Sequence, residues 1–258
     1  MLKNIYHRDD LEILEFLSEQ ELGAAAAVEG GRRIASAIKA KGHCRIIFAA
    51  AVSQHELLKA LSVNESINWE KVTAFHMDEY FGIPEGDSRS LASFFRKYPK
   101  ITPRKFHFLD SMTLDREKEC LRYSDLLRED QIDVVFCGIG DNGHLAFNEP
   151  HAASFRDSVW VKPVLIDDVS KQQQVNAGNF PNMQSVPSEA YTLTIPALMS
   201  GNSLICIAPT HYKSSAVRDI LLGPVSEKYP ASIIRRHKNA VLYLDIFSAE
   251  KIQGSLEN

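Results

Sequence analysis

The chain has 258 residues, 45% hydrophobic and 24% charged, a composition that suits a soluble fold with a sizeable buried core. Its formal net charge of −4, without any dense Lys/Arg block, argues against nucleic acid as a partner. The charged start from Met1 to Ile13 has no apolar signal core, and no apolar run approaches the roughly 18 residues needed to cross a bilayer, so the cytoplasm is the expected location, with no membrane partner.

Leu11 to Ala40 reads as one long Ala-rich helix or two, with a break at Gly30–Gly31. Cys44 to Ala51 reads as a buried strand. Ser53, with Glu56 three residues on, has the spacing of a capping box for the next helix. Val72 to His76 is a strand, Ser88 to Tyr98 a helix, Phe106 to Leu109 a strand and Leu114 to Leu127 an amphipathic helix. Ile132 to Cys137 is a strand that ends in Gly138-Ile-Gly140. Farther on, Val159 to Ile166 reads as a strand of antiparallel character and Ile195 to Met199 as a short helix. Leu204 to Ala208 is a strand, Tyr212 to Leu222 a helix, and Ala240 to Asp245 a final strand. No linker divides the chain, so residues 1–258 read as one domain. The alternation predicts an α/β fold: a doubly wound, mainly parallel sheet with helices on both faces, modified Rossmann-like. The four cysteines, Cys44, Cys120, Cys137 and Cys206, form no CxxC pair, which argues against zinc; three of them read as buried strand thiols.

In such a sheet ligands bind beyond the carboxyl ends of the strands. Three strands end in dense polar or small-residue runs: Ala49 to Glu56, His76 to Gly82, and Gly138 to Pro150. The last holds Asp141, Asn142, His144, Asn148 and Glu149, interleaved with apolar Leu145 and Phe147. A solvated loop rarely keeps such a mixture. It has neither the Lys-Ser/Thr ending of a P-loop nor the GxGxxG spacing of a dinucleotide site. Taken alone, Asp78-Glu79 also reads as a helix N-cap pair. Ser53 reads as a cap and Lys213 as a surface lysine, while His76 and Tyr80 read as supporting or packing groups.

Phe75-His-Met-Asp-Glu-Tyr-Phe-Gly82 and Gly138-Ile-Gly-Asp-Asn-Gly-His-Leu-Ala-Phe-Asn-Glu-Pro150 resemble, in order and spacing, the two signatures of glucosamine-6-phosphate deaminases (isomerases). Weaker similarity extends from Ile46 to Asp245. 6-Phosphogluconolactonases share the fold and a Gly-rich turn, but usually lack the Met77–Tyr80 run and the Ala146–Pro150 ending. The resemblance implies conversion of glucosamine 6-phosphate and water to fructose 6-phosphate and ammonia, with an amino sugar phosphate as ligand and no metal or organic cofactor. It implies His144 for ring opening, with Glu149 orienting it, and Asp78 as the base at C2. Ser53, Gly138, Gly140 and Lys213 would bind the substrate. Relatives range from small assemblies to hexamers, which allows a homo-oligomer.

Four positions depart from the family pattern. Asn142 stands where an Asp often precedes Gly-His, with Asp141 one residue earlier, so either could support His144. The phosphate turn is reduced to Ala51-Val-Ser53. The Arg that the family pattern places shortly before Val186-Pro187 is not evident, and Lys171 to Phe180 offers amides instead. Pro196 replaces a common Gly. The alternatives are a lactonase, an isomerase of another sugar phosphate, or a sugar-phosphate sensor without catalysis. The run after Pro150 is poor in the Ser/Arg pattern tied to allosteric activation.

Overall fold

The computed structural model describes residues 1–256. Eleven strands, β1 (Leu2–Arg8), β2 (Leu11–Phe16), β3 (Cys44–Phe48), β4 (Val72–His76), β5 (Asp78–Tyr80), β6 (Lys105–His107), β7 (Val134–Gly138), β8 (Val161–Leu165), β9 (Glu189–Leu193), β10 (Ser203–Ala208) and β11 (Ala240–Asp245), form two sheets. The larger has the order β1-β2-β11-β10-β7-β3-β4-β6 and is parallel throughout except for the β1–β2 hairpin. The helices are α1 (Glu19–Lys41), α2 (His55–Ser62), α3 (Leu91–Phe94), α4 (Arg116–Arg128), α5 (Asp168–Asn176), α6 (Ile195–Met199) and α7 (Ser214–Leu222).

Strand alternation builds a core on each face. Ile46 and Phe48 pack with Leu22 and Ile34 of α1 and Leu57 and Leu61 of α2, while Ile47 packs with Tyr123 of α4 and Val217 and Ile220 of α7. Each such buried aliphatic side chain contributes roughly 1.5–3 kcal/mol. The doubly wound sheet predicted from the alternation is therefore present. The four cysteines are free and buried; Cys44, Cys137 and Cys206 lie in strands and Cys120 in α4. Among the described residues no helix is long and apolar enough to cross a membrane.

The first predicted helix is corrected in two ways. Leu11–Phe16 is the strand β2, its Leu11, Ile13 and Phe16 buried between β1 and β11. Helix α1 begins only after Ser18, whose Oγ accepts the Glu21 N–H. Gly30–Gly31 does not break it. A Cβ at Gly30 would lie 2.6 Å from the Phe136 ring, so the glycine lets the helix lie close on β7. The Ser88–Tyr98 helix shrinks to α3 and a 3₁₀ turn (Phe95–Lys97). Pro196 sits in the first turn of α6 behind the Thr194 cap, where a helix tolerates a missing N–H.

Two features position the site. Strands β3 and β7 are adjacent, and the chain runs outward from them in opposite directions, so the crevice at their carboxyl ends is a topological switch point. At Met77 the chain then changes sheets. The Met77 N–H donates to Phe48 O of the large sheet, and its carbonyl accepts from Leu193 N of the β5–β9–β8 sheet. Asp78 thereby opens an antiparallel strand paired with Thr192, rather than a loop.

Candidate active site

An inner chamber of about 60 Å³ lies at the switch point, lined by Ser53, Met77, Asp78, Tyr80, Gly138, Gly140, His144, Gln173, Gln174 and Lys213, among others. An outer groove of about 250 Å³ shares Ala51, Ser53, Gln173, Gln174 and Lys213 with it. The chamber alone holds only a few waters, so anything the size of a hexose phosphate must extend into the groove.

Asp78 and Glu79 divide by strand alternation. Glu79 accepts the N–H groups of Tyr80, Leu91 and Ala92 and the Ser90 hydroxyl, so the capping role read for the pair belongs to Glu79. Among the described residues no hydrogen bond reaches the Asp78 carboxyl. Burial, and then the Glu79 charge, push its pKa up to about 8. His76, fully buried, accepts the Leu109 N–H at Nε2 and is a structural group, as read. Tyr80 packs against Phe147 and Phe180, but its buried hydroxyl has no hydrogen-bond partner among the described residues, and it lines the chamber. A buried donor without a partner is uncommon, and nothing in the sequence flagged it.

The Gly138–Pro150 loop is pinned from behind. Asn148 Nδ2 donates to Leu145 O and Leu193 O, and Phe147 N–H to Thr192 Oγ1. His144 is thus presented to the chamber, with Nδ1 2.7 Å from Asn142 Oδ1 and 3.2 Å from Ser170 Oγ. The Asn142 amide is oriented in turn, because its Nδ2 donates to Asp167 Oδ2 at 2.8 Å. With oxygen facing the ring, Nδ1 carries the proton and Nε2 keeps its lone pair. Burial and the nearby Lys213 charge lower the imidazole pKa to about 3, while Asp167 opposes the shift, so the ring is neutral. Asn142, not Asp141, supports His144.

Among the described residues no hydrogen bond joins Glu149 directly to the imidazole it was expected to orient; Ser170, whose Oγ is 3.2 Å from His144 Nδ1, stands between them. Glu149 Oε2 accepts the Asp167 N–H at 2.6 Å and holds the start of α5. Burial pushes its pKa up to about 7, opposed by the Ser170 hydroxyl and that N–H. Asp167 and Ser170 were absent from the sequence reading; the one available signal was the Asp167-x-x-Ser170 cap spacing at α5, where Asp167 Oδ1 accepts Ser170 N–H.

Ser53 does not cap α2. It lies in a 3₁₀ turn (Val52–Gln54), and α2 starts without a side-chain cap. Ser53 instead borders both cavities. Lys213 is buried rather than a surface lysine, its Nζ 2.6 Å from Asp141 Oδ1. Glu149, His151 and Asp167 bring ligand atoms within 4.8 Å of one another. Both Asp167 oxygens already accept hydrogen bonds, which makes the trio a poor metal cradle.

Residues 17–243 match the model of the family described as glucosamine-6-phosphate isomerases/6-phosphogluconolactonase. The chain belongs to this family. The glucosamine-6-phosphate deaminase of Listeria monocytogenes is 32% identical over 206 residues, 79% of this chain and 86% of that protein. The Lactobacillus acidophilus glucosamine-6-phosphate deaminase is 29% identical over 220 residues, 84% and 90% of the two chains. The solved structure of a monomeric glucosamine-6-phosphate deaminase superposes with a TM-score of 0.84 at 26% identity, covering 93% of this chain and 99% of its own. A 6-phosphogluconolactonase from Shewanella baltica gives a TM-score of 0.74 at 17% identity over 95% and 99% of the chains, a likeness of fold.

In this member of the glucosamine-6-phosphate isomerase/6-phosphogluconolactonase family, Gly140 makes room for the imidazole. A Cβ there would stand 2.1–2.3 Å from three His144 ring atoms. Gly140→Ala therefore displaces the ring. Whatever reaction His144 serves is expected to fall by roughly 10²-fold or more, while circular dichroism and thermal melting show a retained fold. Wild-type activity in the Gly140→Ala enzyme would remove His144 from the chemistry.

Proposed function

We propose that the protein is an amino-sugar-phosphate deaminase/isomerase, acting as one domain, that converts glucosamine 6-phosphate and water to fructose 6-phosphate and ammonia. The observation that carries this reading is the pairing, in one chamber, of an unbonded buried carboxyl with a neutral imidazole of assigned tautomer. His144 Nε2 takes the anomeric hydroxyl proton and returns a proton to the ring oxygen, which opens the pyranose. Asp78 removes the C2 proton, giving an enolamine, and delivers it to C1. The resulting C2 imine takes up water and expels ammonia, leaving the ketose. One carboxyl serving neighbouring carbons keeps the proton inside the chamber. Asp167, through Asn142, keeps His144 in the basic tautomer. Glu149 and Ser170 hold the frame around it, and Ser53, Gly138, Gly140 and Lys213 line the substrate's path. A lactonase needs no carboxyl to carry a proton between carbons, so the exposure of Asp78 to the chamber supports the deaminase over that alternative.

The test is an assay of ammonia and fructose 6-phosphate released from glucosamine 6-phosphate, run beside galactosamine 6-phosphate and 6-phosphogluconolactone. Release of both products from an amino sugar phosphate is expected. Lactone hydrolysis without deamination would replace this reading with the lactonase.

A further inference from the structure

Lys213 is the sole Lys or Arg among the described residues that line either cavity, and it is already matched by a carboxylate. The Asp141 backbone is held by donation of its N–H to Gln173 Oε1 at 3.0 Å, and its side chain borders the outer groove, not the inner chamber. Asp141 Oδ1 receives the Lys213 ammonium, whereas among the described residues no hydrogen bond reaches Oδ2. Lys213 therefore keeps two of its three N–H groups for a ligand. The Ser53 hydroxyl and the Gln174 amide, whose oxygen accepts from Asn179, add neutral donors on the same wall. Donors are plentiful, but the Lys213–Asp141 pair has no net charge, and Asp141 brings to the groove a carboxylate oxygen that has no hydrogen bond among the described residues.

Such a site repels a dianion and welcomes an anion that still carries a proton. Resting on the sugar-phosphate reading above, we propose that the groove selects the singly protonated phosphate ester, Asp141 accepting its P–OH while Lys213 donates to its other oxygens. A charge-assisted O–H···O⁻ bond is short and strong. A dianionic ester or a sulfate ester has no proton to place there. The other titratable groups on the groove are Glu19 and Tyr212. The Glu19 pKa is raised by burial and by the charges of Asp245 and Glu56, and when ionised it adds to the repulsion of a dianion. Asp78, Tyr80 and His144 face the inner chamber, with Asp167 behind His144.

The test uses glucitol 6-phosphate, which has neither carbonyl nor amine and cannot react, and glucitol 6-sulfate, whose charge is constant over the range. Dissociation constants are measured by calorimetry on the full chain between about pH 5.5 and 8. The phosphate ester's second pKa is near 6, so its Kd for the wild type should rise about tenfold per unit at the upper end, relative to the sulfate. At the acid end the phosphate should bind at least about tenfold tighter than the sulfate. In Asp141→Asn, whose amide can donate to a dianion, the slope and the preference over sulfate both disappear. A wild-type Kd ratio independent of pH, or sulfate bound as well as phosphate, overturns the proposal, and neither measurement depends on the variant folding. Turnover of glucosamine 6-phosphate with pH-flat binding sinks this inference alone. The predicted slope without ammonia release sinks the deaminase reading alone, and binding of neither ligand sinks both.

Discussion

Asp78→Asn should lower kcat for ammonia release by roughly 10³-fold while KM changes by less than about threefold, because the amide keeps the shape of the chamber but cannot carry a proton. The same carboxyl sets a pH dependence whose sign follows from its environment. Burial and Glu79 disfavour the charged form and raise the pKa to about 8, so the acid is held at neutral pH and the base appears as pH rises. At saturating substrate kcat should climb with pH and level off above the carboxyl's pKa. In the empty enzyme a ¹³C NMR titration should place the Asp78 carboxyl near 8, and Asp78→Asn should lack that resonance. A kcat that falls between about pH 6 and 8, or full activity in Asp78→Asn, would remove Asp78 as the base. The two pH effects separate cleanly: kcat carries the ionisation of Asp78, and KM carries that of the substrate phosphate.

Asp167→Asn is expected to cost roughly 10²–10³-fold in kcat although Asp167 does not line the chamber and, among the described residues, makes no hydrogen bond to His144. Both carboxylate oxygens are in use, one accepting Ser170 N–H and the other Asn142 Nδ2. An amide at 167 has one acceptor, kept by the cap at α5, so its NH₂ would face the NH₂ of Asn142. Asn142 then turns its amide and presents NH₂ to His144. That moves the ring proton to Nε2 and removes the base. ¹⁵N NMR of His144 would report the change of tautomer directly. The double variant Asn142→Asp/Asp167→Asn exchanges the two groups and restores a carboxylate oxygen to Nδ1, so it should recover most of the lost activity. A merely structural Asp167 would show no tautomer change and no rescue by the exchange. Thermal melts check that the variant keeps the α5 cap, whose loss would cost about 1 kcal/mol.

The legible parts of this protein were those written in contiguous residues. Strands β3, β4, β7, β10 and β11 appear as short apolar runs, and three of them are followed at once by the polar runs that form the chamber. Elements whose pattern conflicts with their role were misread. Leu-Glu-Ile-Leu-Glu-Phe satisfies a helical reading as readily as an alternating one, and only pairing with β1 and β11 settles it as a strand. Ser53 has cap spacing with Glu56, yet the 3₁₀ turn before His55 turns it toward the cavities.

The sequence by itself determined the fold class and the family and brought forward Asp78 and His144 as candidates, because strand periodicity and the two signature runs are local properties, while Lys213 entered through the resemblance alone. Which group each of these meets was decided only by the tertiary structure. Asp141 and Asn142 are neighbours in the chain, but one pairs with a lysine 72 residues away and the other with a carboxylate 25 residues away. The physical reason is that a buried polar side chain takes whatever partner the packing brings within hydrogen-bond reach. Those partners stand just before α7 and α5; α7 is placed by the burial of its apolar face, which includes Val217, Ile220 and Leu221, and the start of α5 by the Asp167 cap, not by the residues they serve.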